Sequence, residues 1–258
     1  MAVRFQAHLQ RGGIGLDETV RLLKAYGQHG SWEEVRRLAL RENILGKTSD
    51  HTVEDILRAF KRRFLCDLGL PPVELVSQMV GTDLPEAARR QVLFPYFLVS
   101  DPLVKRCYCD LVLERLTSNR ATLTGAEVVR HLETLSLDHP ELTRWASYLR
   151  RRWARGFLTL LRRFGLMEPH PGNTLRRLFI LPEPFAFFWL WFWERGSSFW
   201  DAWGQELWRL LQADERRRDE LLAEGQVRGW WTYQRSRDIV HFQPKFDDLK
   251  GWIRNGLA

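Results

Sequence analysis

Cysteine is scarce in this chain: Cys66, Cys107 and Cys109 are the only three in 258 residues. An odd number with a single C-x-C spacing fits neither a zinc knuckle nor a thioredoxin-type pair, and reads as reduced, mostly packed thiols of a cytoplasmic protein. Secretion is not expected, because Met1–Gln10 is mixed in character and runs into Arg11, Gly12 and Gly13 without a charged, apolar and small-residue succession. Long hydrophobic runs are missing as well. Phe185–Trp193 (FAFFWLWFW) is an unbroken apolar run of nine residues. As a helix it would reach only about 14 Å, against a bilayer core of about 30 Å. No membrane span is expected; a buried helix is the first reading of this run, a partner-docking surface the second and interfacial membrane attachment the third.

Catalytic signatures are absent too. There is no Gly-x-Ser-x-Gly elbow, no His-Glu-x-x-His pair and no paired metal-ligand spacing, and the seven histidines are scattered. Gly46, Lys47 and Thr48 mimic the end of a phosphate-binding loop. That loop, however, needs a glycine where Arg41 stands and a strand where Ser31–Asn43 reads as a helix. Gly12, Gly13 and Gly15 lack the third glycine of a dinucleotide fingerprint and read as a flexible lead-in. Asp110 with Glu114, and Asp247 with Asp248, read as solvated faces. No enzyme, cofactor or metal is expected.

What is present is enough apolar residue for a large core, 45% against 28% charged, and helical periodicity punctuated by turn chemistry. The expected fold is mainly α: helix-turn-helix and winged-helix-like units, joined by a helical connector, with short β-hairpin wings. Residues 1–68 read as a helix-turn-helix-like unit, with helices opened by Ser31 and by Ser49 or Asp50. Residues 69–120 read as the connector, its helices interrupted at Pro95 and Pro102. Residues 121–182 read as a winged-helix-like basic unit: Thr124 caps one helix, a long amphipathic pattern runs from Pro140 to Phe164, Gly165 ends it, and Leu166–Glu168 with Leu175–Leu181 form a hairpin. Residues 183–258 repeat that order. There a helix opened at Asp214 or Glu215 closes at Gly225, strands Trp230–Arg235 and Ile239–Phe242 flank a Ser236–Asp238 turn, and Phe246–Ile253 forms a last helix.

Charge is concentrated. Between Glu141 and Ile180 there are nine arginines against two acids, a net of +7 that equals the excess of the whole chain. On a helix of 100° per residue, Arg151, Arg155 and Arg162 fall within about 20° of Arg144, while Leu149, Trp153, Phe157, Leu160 and Phe164 occupy the opposite face. Arg152 and Arg163 add to the basic helix, and Arg176 and Arg177 lie on the extended run beyond it. A second, weaker stripe of His51, Asp55, Arg58 and Arg62 follows Lys47, and Arg235 and Arg237 sit at the tip of the final hairpin. Arginine suits phosphate because its planar fork donates two parallel hydrogen bonds, and double-stranded DNA is the expected partner.

The segments GGIGLDETVRLL, RRLALRENILGKTSDHTVEDILRAFKRRFL, DPLVKRCYCDLV, RWASYLRRRWARGFLTLLRRFGLMEP and ELLAEGQVRGWWTYQRSRDIVHF resemble the BrxA family of BREX bacteriophage-exclusion operons. The likeness runs through most of the chain. Its most specific pieces are the ENILGK turn with the following helix and the FGL end of the arginine helix. The resemblance implies a mainly helical, winged-helix-like, DNA-binding protein that works beside the system's methyltransferase, ATPase and phosphatase-like components. The expected function is a non-catalytic accessory of phage defence contacting duplex DNA mainly through phosphates. The alternatives are a scaffold for other BREX proteins and a NusB-like RNA-binding antitermination protein.

Overall fold

The computed structural model describes residues 4–10, 15–118, 121–196, 198–237 and 239–257. The expected lead-in at Gly12 and Gly13, and Asp238 of the last turn, lie outside these residues. A short 3-10 helix, His8–Gln10, comes first. The α-helices that follow are α1 (Leu16–His29), α2 (Trp32–Arg41), α3 (Asp50–Phe64), α4 (Val73–Gly81), α5 (Glu86–Val99), α6 (Pro102–Cys107), α7 (Glu114–Thr117) and α8 (Gly125–Leu135). Then come α9 (Pro140–Thr143), α10 (Ser147–Arg163), α11 (Pro182–Arg195), α12 (Phe199–Trp203), α13 (Glu206–Leu210), α14 (Glu215–Val227), strands β1 (Trp231–Ser236) and β2 (Ile239–Pro244), and α15 (Leu249–Asn255). The chain is thus mainly helical, and β1–β2 is the one strand ladder among the described residues. The described residues fall into two compact units, one drawn from 1–22, 33–68 and 96–178, the other from 23–32, 69–95 and 179–258.

In the first unit, α2 and α3 begin where the caps predict, and the turn between them is made by Asn43 and Gly46 at φ of 50° and 63°. Left-handed backbone of this kind costs least at glycine and asparagine. Val53, Ile56, Leu57, Phe60 and Phe64 bury one side of α3. Asp101 accepts from the N–H groups of Leu103 and Val104 at 3.1 and 3.3 Å, and with Pro102 in the first position it opens α6. A π-helical turn, Tyr108–Leu113, joins α6 to α7. Thr124 and Glu127 close a reciprocal capping box on α8. Gly165, at φ 74°, ends α10: its N–H reaches the Arg162 carbonyl at 3.0 Å and that of Leu166 reaches Leu161 at 2.8 Å.

Two expectations in this stretch change. Pro95 lies inside α5 instead of interrupting it. Residues 91–98 are all buried, and that burial outweighs the roughly 3 kcal/mol a helical proline costs. The hairpin expected over 166–181 is reduced to isolated bridges, Met167 to Leu175 and Thr122 to Thr174. Pro169 and Pro171 carry no N–H with which a ladder could continue.

The second unit is built around α11. Pro182 and residues 184–190 are buried, so the apolar run is largely core. Trp189 meets Phe199, Phe185, Phe242 and Trp208 at centroid distances of 5.1, 5.5, 5.6 and 6.0 Å. Asp214 caps α14 by accepting from the Arg217 N–H at 2.8 Å. The helix passes Gly225, the expected stop, because this glycine serves close approach: a Cβ there would stand 2.0 Å from the Trp231 ring. Gly229, at φ 78°, provides the stop instead. β1 pairs antiparallel with β2, Tyr233 opposite Phe242, and Asp248 caps α15. No helix among the described residues is long and apolar enough to cross a membrane.

Candidate nucleic-acid interface

The exposed arginines are presented by α10. Its inner face, Trp153, Ala154, Phe157, Leu158, Leu160 and Leu161, is buried against α8 and the His8–Gln10 helix. Gly156 admits the latter, since a Cβ there would lie 2.9 Å from the Leu9 carbonyl oxygen. The outer face shows Tyr148, Arg151, Arg152, Arg155 and Arg163 to solvent. Among the described residues, the guanidinium groups of Arg151, Arg152 and Arg155 make no ion pair or hydrogen bond. Tyr148, passed over in the sequence, adds a hydroxyl that can donate to a phosphate. Its signal was available: it lies three residues before Arg151.

Two arginines of the expected stripe sit differently. Ala146 is extended (φ −61°, ψ 152°), so the helix restarts at Ser147 and Arg144, though exposed, belongs to the α9–α10 connection and not to the stripe. Arg162 is half-buried: its Nε donates to the Glu168 carbonyl at 3.2 Å and its Nη2 to the Gly172 carbonyl and Asn173 Oδ1 at 3.0 and 3.3 Å. It braces the 168–173 loop. Arg163 lies 3.7 Å from Asp17. Arg177 donates to the Leu116 carbonyl at 2.9 Å, while Arg176 is exposed.

The other candidates are more engaged. Lys47 pairs with Glu18. On α3, Asp55 takes His51 at 3.5 Å and Arg58 at 2.5 Å, and Arg62 is half-buried with its pKa lowered by burial. Arg235, in the second unit, donates to both Asp219 oxygens at 3.0 Å and lies 5.0 Å above the Trp203 ring. Arg237 is exposed at the hairpin tip, with φ 55°.

A buried basic cluster in the first unit escaped the sequence reading. Arg63 is buried with its guanidinium 3.7 Å above the Phe97 ring, and burial, with Arg62 beside it, lowers its pKa to about 9. Burial raises Asp101 to about 6, against the pull of backbone N–H groups and of Arg62 and Arg63. His8 is lowered to about 4 by burial and then by the same two arginines. Arg63 stands three residues after Phe60 and seven after Ile56, in phase with the core stripe, which was the available signal. Beside this cluster, His8, Arg58 and Arg62 line a cavity of about 300 Å³.

A family profile described as BrxA matches residues 3–188. The fold is similar to that in a crystal structure of an uncharacterized protein from Magnetospirillum magneticum, with a TM-score of 0.61 at 15% identity, covering 82% of this chain and 100% of that one. At that identity the likeness is one of fold alone. A comparison with curated proteins gave no significant match. With the family profile covering most of its length, this BREX-associated chain belongs to the BrxA family.

Proposed function

We propose that the chain is a non-catalytic accessory protein that binds duplex DNA through its phosphates, chiefly along the outer face of α10. One observation carries the reading: three exposed guanidinium groups with no partner among the described residues stand together on a helix that contains no acid, whereas several surface arginines elsewhere are taken up by acids. Arg37 pairs with Glu34 and Glu42, Arg90 with Glu86, Arg106 with Asp110, and Arg228 with Glu183 and Glu224. Arg151 and Arg155 are one turn apart, and such like-charge pairs cost a helix a few tenths of a kcal/mol. A polyanion removes that cost. Arg144 and Arg176, also exposed and without a described side-chain partner, extend the set, and Arg163 and Arg177 flank it.

If five phosphates are neutralised, log K falls with log salt at a slope of about −4.5. Sequence preference is weak, because phosphate contacts position without specifying. The test is fluorescence anisotropy on a labelled duplex at several salt concentrations. Replacing Arg151 and Arg155 together by Glu is expected to flatten the slope by about two units and weaken every duplex alike. Circular dichroism is expected to stay unchanged, both residues being exposed. Unchanged affinity in the folded double variant, or tighter binding of an RNA hairpin than of duplex, would overturn the reading.

A further inference from the structure

The cavity in the first unit is walled by Gln6 and His8 from the N-terminal segment and by Asp55, Arg58 and Arg62 from α3. Its charges do not balance. Asp55 is answered by Arg58, which spends one of its five N–H donors there. Arg62 and the buried Arg63 share Asp101 as their acid neighbour; its Oδ1 accepts from two backbone N–H groups of α6, and its buried Oδ2 takes neither guanidinium. Arg62 keeps a buried Nε with no acceptor among the described residues. A buried donor left unmade is costly, and more so when charged. The Arg62 guanidinium as a whole makes no hydrogen bond or ion pair among the described residues; a negatively charged oxygen in the cavity would answer its charge, and Arg58, His8 and Gln6 line the same space.

We propose that this cavity seats one phosphate group, held by Arg62 and Arg58 with His8 as a further donor. The phosphate can be a link of a DNA backbone or a free phosphate. Position favours DNA: Leu9, the residue after His8, packs on Gly156 of α10, so the segment that walls the cavity also packs on the helix that carries the arginine face. That assignment rests on the proposed DNA binding; the seat itself does not.

The test is NMR of the full chain, following the Arg62 Nε–Hε and His8 ring signals while inorganic phosphate replaces chloride at constant ionic strength. A saturable shift is expected, and Arg58→Ala, an exposed and safely folded variant, is expected to weaken it at least fivefold. A duplex is expected to move the same signals, and Arg58→Ala to flatten the salt slope by about one unit further in the Arg151→Glu/Arg155→Glu background. A response to phosphate but none to duplex keeps the seat and assigns it to free phosphate. A response to phosphate in a chain whose α10 double variant binds DNA normally separates the seat from the failure of the DNA reading. No saturable response of Arg62 or His8 to either titrant overturns the proposal.

Discussion

The tripeptide Arg-Arg-Arg occurs in both α10 and α14 and meets opposite fates. In α14, Arg216 and Arg217 pair with Glu220 at 3.0 and 3.3 Å. Arg217 also donates to the Ile180 carbonyl at 2.9 Å, and Arg218 lies 4.3 Å above the Trp203 ring. In α10, Arg150 turns inward to the Leu142 carbonyl at 3.0 Å, and Arg151 and Arg152 find no described partner. The difference is written in the neighbours. ERRRDELLAEGQV places acids three and four residues beyond its arginines, whereas SYLRRRWARGFLTLLRR contains none. Counting cations therefore does not locate a polyanion site; what matters is which cations the fold leaves unneutralised.

Both helices also carry an interior glycine beneath a close neighbour, and the neighbours differ in how far they can yield. Gly225→Ala would drive a methyl into the Trp231 ring, which is fully buried and held by its indole N–H on the Leu222 carbonyl at 2.7 Å. The expected loss is about 3 kcal/mol, the upper end for overpacking. Gly156→Ala meets the Leu9 backbone carbonyl oxygen at 2.9 Å, against 2.0 Å at the Trp231 ring, so the three-residue 3-10 helix must shift by much less, and alanine returns about 1 kcal/mol of helix propensity. A net change of about 0–1 kcal/mol is expected. Urea unfolding of both variants decides it, and a larger loss at Gly156 would show the packing contrast to be wrong.

The charge contrast is the next largest. Arg151→Glu with Arg155→Glu is expected to lower duplex affinity about ten- to hundredfold, or about 1.4–2.7 kcal/mol. Arg216→Glu with Arg217→Glu, measured at a temperature where the variant stays folded, is expected to leave affinity within about twofold, since those cations are already spent on Glu220. Equal losses in the two variants would mean that pairing does not separate the helices.

Local signals explain why much of this was legible. The Thr124 capping box, the Asp214 cap, the Gly165 stop and the apolar stripe of α10 each act within a few residues of sequence. What escaped was non-local or double in meaning. Nothing in ELTRWASY marks the break at Arg144–Ala146, which carries no glycine or proline. Gly225 has the same letter as a helix stop but serves ring packing. Arg162 looks like its neighbours on a wheel, yet carbonyls six and ten residues on claim it. His8, Arg63 and Asp101 come together only in the fold, and a single-helix wheel cannot bring them into view.

The smallest expected effect is the one that bears most directly on why α10 lacks acids. Arg151→Glu places a carboxylate four residues N-terminal to Arg155, the more favourable orientation for such a pair, and removes a like-charge contact. The free protein is therefore expected to gain about 0.3–0.5 kcal/mol at low salt, fading at high salt as screening grows, while duplex binding weakens. The mirror experiment is Glu220→Ala in α14, which strips the partner from Arg216 and Arg217 and is expected to lose a few tenths of a kcal/mol. Denaturant midpoints at two salt concentrations read both signs. Opposite signs mean that the arginines of α10 are held against the helix's own preference, as a surface awaiting a polyanion would be. If instead Arg151→Glu costs more than about 0.5 kcal/mol, beyond the range of an ordinary exposed substitution, Arg151 is part of the scaffold and the contrast with α14 fails at its central residue.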